Sequence, residues 1–129
     1  MPEAERPAPL SGAQIEIMNV LWARGEATVT EVWKTLADQR PLARTTVLTV
    51  MDRLVKKGWL KRRAQGPQHL YSAARSREAT LGGLVHRLVD TVFAGSAENL
   101  VVALLDGRGV TDEEAIRIRT LIQARRKRS

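Results

Sequence analysis

Thr45, Thr46 and Thr49 place three hydroxyls close together, with Arg44 before them and Arg53 after. A hydroxyl becomes a nucleophile only beside a general base, and no such pairing can be drawn here. The chemistry this set can do is recognition. Short hydroxyls bond phosphate oxygens or base edges, methyls meet the thymine methyl, and guanidinium groups neutralise phosphate. The spacing puts them on one face of a helix, because Val47, Val50, Met51 and Leu54 fall at i, i+3, i+4 and i+7 and form the opposite, apolar stripe. Threonine costs a helix up to roughly 0.5 kcal/mol per position against alanine. An exposed face built from it is explained if binding offsets the loss.

The charge distribution points the same way. The 129-residue chain has a net charge of +7, yet residues 40–77 alone hold ten basic side chains against the single acid Asp52. The remainder, basic tail included, is slightly acidic. A one-sided basic block flanked by near-neutral sequence is the footprint of a polyanion-binding surface.

Three helices must position these residues. Ser11 with Gln14 and Thr28 with Glu31 have capping-box spacing. The first opens a helix with the stripe Ile15, Met18, Leu21 and Trp22 that ends near Arg24-Gly25; the second opens a short helix with Val29, Val32, Trp33 and Leu36. Pro41 closes the connection to the third helix, residues 43–57, which stops at Gly58. WLKRR at 59–63 and HLYSA at 69–73 alternate like strands about a five-residue loop, AQGPQ. Three helices and a basic hairpin are the order of a winged helix-turn-helix. Of Lys61, Arg62 and Arg63 at most two share a face, and such cations also suit a strand edge that resists aggregation. Tyr71, Trp22, Trp33 and Trp59 read as packing residues.

Residues 76–129 form a second, helical module. Ser76 caps a helix to about Ala94, Gly95 breaks it, Ser96 recaps, and Thr111 with Glu114 repeats the capping-box spacing. The apolar content of these short helices exceeds what a small winged helix can cover. A two-fold dimer is the economical solution, with Leu84, Leu88, Val92, Phe93, Leu100, Val101, Leu104, Ile118, Leu121 and Ile122 as its expected interface. Asp112, Glu113 and Glu114 suit a helix N-terminus rather than a metal.

The expected architecture is therefore mainly α with a small β-hairpin wing: a disordered lead-in at 1–9, a DNA-binding domain at 10–75 and a dimerisation domain at 76–129. The acidic, proline-rich start lacks a signal pattern and no apolar run is long enough to span a bilayer, so a cytoplasmic chain without membrane contact is expected. With no cysteine, no spaced histidines and no glycine-rich phosphate loop, neither enzyme chemistry nor a metal or other cofactor is expected.

The stretches LSGAQIEIMNVLWARGEATVTEVWKTL, TTVLTVMDRLVKKGWLKRR, HLYSA and FAGSAENLV resemble the penicillinase-repressor (BlaI/MecI/CopY) family of winged-helix transcriptional regulators, over residues 10 to about 123. The resemblance implies a homodimeric repressor that occupies dyad-symmetric operator DNA with TACA/TGTA-like half-sites. Recognition-helix contacts would fall on Arg44, Thr45, Thr46, Thr49 and Arg53, with Lys56 in the last turn, and wing contacts among Lys61, Arg62, Arg63 and Gln68. It also implies a sensor or protease that relieves repression. Where the β-lactam-responsive branch has a scissile Asn-Phe bond, this chain has Ala103-Leu104, and it lacks the cysteine cluster of the copper-responsive branch. The competing expectation is a basic winged-helix module that docks an acidic partner or binds nucleic acid without sequence preference.

Overall fold

A computed structural model describes residues 10–128, so the expected lead-in at 1–9 lies outside the described residues. Nine elements follow in order: α1 (Gly12–Arg24), β1 (Glu26–Ala27), α2 (Val29–Ala37), α3 (Arg44–Lys56), β2 (Leu60–Gln65), β3 (Gln68–Ala73), α4 (Arg77–Val92), α5 (Ala97–Asp106) and α6 (Asp112–Arg128). The chain divides into two compact units after Leu84. The sequence boundary at 75/76 falls just before α4, but Thr80, on the first turns of that helix, is buried and groups with the first unit.

In the first unit, α1 packs against α2, α3 and β3, and α3 against α2 and β2. Met18, Leu21, Val32, Val47, Met51, Leu54 and Tyr71 are its fully buried centre. The expected stripes supply most of these positions. Ile17 is buried in addition, while Ile15, Trp22, Trp33 and Val50 pack half-buried around the edge. Leu10 is buried too, at the position before the Ser11 cap, where it and Ile15 occupy the two places of a hydrophobic staple.

Both capping boxes close reciprocally. Ser11 and Gln14 exchange hydrogen bonds, as do Thr28 and Glu31. The Thr28 backbone N–H is the main reason the Glu31 carboxyl sits below its ordinary pKa, with Arg24 assisting. Thr28→Ala is expected to destabilise the first unit by about 1 kcal/mol, read as a lowered thermal midpoint. The Thr111 cap is one-sided: its hydroxyl accepts from the Glu114 N–H, while the Glu114 carboxylate lies 3.7 Å from Arg108.

α3 ends in a Schellman motif. Gly58 takes φ +86°, its N–H donates to Val55 O and the Trp59 N–H donates to Leu54 O. The hairpin corrects the expected five-residue loop: β2 and β3 pair from Leu60↔Ala73 out to Gln65↔Gln68, leaving Gly66-Pro67 as a two-residue turn with Gly66 at φ +61°. β1 was not expected. It adds to β3 through Glu26↔Ser72 and Ala27↔Tyr71, giving an antiparallel sheet of order β1-β3-β2.

In the second unit, Ser96 caps α5 through the Asn99 N–H, and Ala94 and Gly95, both at positive φ, turn the chain out of α4. Most of its large apolar side chains stay exposed among the described residues. Leu88, Val92, Val101, Leu104, Ile118, Leu121 and Ile122 are between 36% and 64% exposed, and Phe93 and Leu100 are half-buried; Leu84, at the end of the first unit, is half-buried as well. No single helix among the described residues is long and apolar enough to cross a membrane.

Candidate nucleic-acid interface

α3 carries Thr45, Thr46, Thr49 and Arg53 together on one exposed face, where with Val50 they line a shallow groove. Arg44 opens the helix, and its Nε donates to Thr30 Oγ1 at 2.9 Å, tying the start of α3 to α2. Thr49 Oγ1 donates back to the Thr45 carbonyl at 3.0 Å, leaving the hydroxyl oxygen able to accept. Lys56 is exposed in the last turn.

The start of α3 differs from the other helix starts. Every other described helix begins under a serine or threonine whose hydroxyl accepts a first-turn N–H: Ser11, Thr28, Ser76, Ser96 and Thr111. α3 begins at Ala43, with no side-chain cap. The Thr46 N–H donates to the Ala43 carbonyl at 3.1 Å, which leaves the Arg44 and Thr45 N–H groups to solvent or to an anion, at the positive end of the helix dipole.

The wing divides its cations between two faces. Lys61 and Arg63 lie on the same face as Glu26 and Ser72, away from the core, and all four line one surface depression. Arg63 makes a two-pronged pair with Glu26, Nε to Oε2 at 3.0 Å and Nη2 to Oε1 at 3.1 Å. That hydrogen bonding holds the Glu26 carboxyl below its ordinary pKa and raises Arg63. Arg62 is on the opposite face, opposite Tyr71 and towards α3. Its Nη1 donates to Asp52 Oδ1 at 3.0 Å, and the Tyr71 hydroxyl donates to the same oxygen at 3.0 Å. Burial raises the Tyr71 pKa. Gln68 is exposed beside the turn.

Sequence reasoning missed Glu26 and Asp52 as partners of wing arginines. A lone acid inside a strongly basic segment was the available signal for Asp52. The aromatic residues are packing groups: Trp33 Nε1 donates to Leu42 O, Trp22 Nε1 donates to Arg75 O at 2.9 Å, and the Arg75 guanidinium lies over the Trp59 ring at 5.7 Å. His69 meets Tyr71 edge-on and His86 pairs with Asp90, and no cluster of metal ligands occurs among the described residues.

Three helices, a hairpin and a cationic, uncapped third helix define a winged-helix DNA-binding protein. The penicillinase repressor family model matches residues 10–124, and the chain belongs to that family, whose members are transcriptional repressors and not enzymes. It is 33% identical over 103 residues to the transcriptional regulator BlaI of Mycobacterium tuberculosis, covering 78% of this chain and 75% of that one. The penicillinase repressor of Bacillus licheniformis is 23% identical over 119 residues, 92% of this chain and 93% of its own. Among solved structures, the monomeric form of Bacillus licheniformis BlaI in complex with the blaP half-operator aligns with TM-score 0.50 and 27% identity, covering 57% of this chain and 89% of that one.

Proposed function

We propose that this chain represses transcription as a homodimer on a dyad-symmetric operator, with α3 in the major groove and the β2–β3 wing against the flanking backbone. The observation that carries this reading is the α3 face: hydroxyls and arginines gathered on one exposed surface, at the one described helix start left uncapped. Phosphate binds the open N–H groups and Arg44, while Thr46, Thr49 and Arg53 face the base edges. Lys56, Lys61 and Gln68 add backbone contacts, Arg62 contacts phosphate where helix and wing meet, and Arg63, already paired with Glu26, adds mainly long-range field.

Dimerisation is supported by the uncovered apolar side chains of the second unit. The relative bound to a half-operator as a monomer supports one copy per half-site. A repressor of this kind acts in the cytoplasm, on chromosomal DNA. Release by a sensor or protease at Ala103-Leu104 would require unwinding, because both residues lie inside α5 and a protease takes an extended strand.

Footprinting of the purified protein on its own promoter at two salt concentrations tests the reading. A discrete dyad-symmetric footprint that persists at the higher salt supports it. Diffuse binding that disappears with salt overturns it in favour of a non-specific basic module. Within a footprinted operator, Arg53→Ala is expected to lose about 1–3 kcal/mol of discrimination at one base position, measured by titration against single-base operator variants.

A further inference from the structure

Asp52 is the one acid in the basic segment, and it stands one residue before Arg53 on the helix that meets DNA. A carboxylate there repels phosphate, so its presence needs a compensating use. Stability is a weak candidate, because the side chains of Asp52 and Arg62 are 39% and 42% exposed and ion pairs this open contribute little. The geometry supplies another use. Tyr71, 2% exposed and fixed in β3, anchors Asp52 Oδ1 through its hydroxyl. The same oxygen accepts from Arg62 Nη1, on the adjacent strand of the wing. Asp52 thereby engages one guanidinium N–H, the Tyr71 hydroxyl is also within hydrogen-bonding reach of the guanidinium, and an arginine carries five N–H groups. Arg63 provides the contrast, since Glu26 occupies both Nε and Nη2 of that side chain.

We propose that Asp52 is a positioning residue for DNA binding, holding the Arg62 guanidinium at the junction of α3 and the wing so that its remaining N–H groups meet the phosphate backbone in a fixed register. This rests on the operator-binding reading above. Phosphate contacts of this kind set how the helix sits in the groove, and hence which base edges its other side chains reach. Asp52 therefore acts on specificity through Arg62, at the expense of raw electrostatic attraction.

The two roles predict opposite signs for Asp52→Asn. If the carboxylate is only a charge, its loss tightens binding to operator and random duplex alike. If it positions Arg62, the neutral amide oxygen left in its place accepts from Arg62 and Tyr71 without charge assistance and holds the guanidinium less firmly, and operator affinity falls about tenfold as the hydrogen bond to phosphate drifts out of register. Random-duplex affinity then holds or rises, and the ratio of the two collapses. Both affinities are measured by anisotropy titration of the full chain, with circular dichroism melts to confirm folding. In an Arg62→Ala background, Asp52→Asn should reduce the ratio no further. Should the asparagine variant melt below the assay temperature, Asp52→Glu decides, because it keeps the charge and the acceptors: positioning expects a ratio nearer wild type than that of Arg62→Ala. An unchanged or improved ratio in folded Asp52→Asn overturns this inference alone. A wild-type chain with no operator preference overturns the proposed function first.

Discussion

Val101→Glu is expected to convert the protein into a monomer by sedimentation and to lower its affinity for a full operator on the order of 10²–10⁴-fold. Val101 lies on α5, which has no buried residue within the chain, and is 49% exposed there. A carboxylate introduced at the proposed two-fold interface would be desolvated opposite its own symmetry mate, which is strongly unfavourable. Linking two half-site heads multiplies affinity on the order of 10²–10⁴-fold by effective concentration alone. Losing the link removes that factor without touching α3. Binding to an isolated half-site should therefore stay near wild type, which separates this outcome from misfolding. A variant that remains dimeric would place the interface elsewhere on the second unit.

Leu54→Ala is expected to destabilise the first unit by about 2–5 kcal/mol, lowering its thermal midpoint by roughly 10 °C or more. Leu54 is fully buried at the end of the apolar side of α3, and its carbonyl receives the Trp59 N–H that turns the chain into β2. The substitution opens a cavity on the side of α3 that packs against β2. A calorimetric or circular dichroism melt checks it, and a shift of only a degree or two would mean that this part of the core can collapse around the gap. The variant leaves every exposed α3 side chain in place, so at temperatures where it is folded it should still prefer operator to random DNA.

What was legible in the sequence had a local cause. Caps at Ser11 and Thr28 act over three residues, and the stripe through Val47, Met51 and Leu54 repeats with the helix, so both survive folding as expected. The exposed α3 face follows from that stripe by subtraction. β1 was not legible because two residues carry no periodicity, and only the edge of β3 makes Glu26–Ala27 a strand. The hairpin turn was misjudged for a related reason. Beyond Arg62 the two strands run past the core, Ala64, Gln65 and Gln68 are exposed, and nothing forces polar and apolar residues to alternate. Ile17 is buried beside the expected stripe because α1 is packed by α2 and α3 and also by β3, which widens its apolar face. The pairs Asp52–Arg62 and Glu26–Arg63 join residues from different elements, at separations no spacing rule encodes.

The three tryptophans all belong to the first unit: Trp22 and Trp33 donate to the backbone carbonyls of Arg75 and Leu42, and Trp59 lies under the Arg75 guanidinium. The helices beyond Leu84 contain none. Intrinsic emission is consequently blind to the second unit, whereas far-ultraviolet dichroism is dominated by helix from both. Recording the two signals in one denaturation series resolves the unfolding of each half without labelling, and dilution should shift the dichroic transition where emission stays put if the second half is held by self-association.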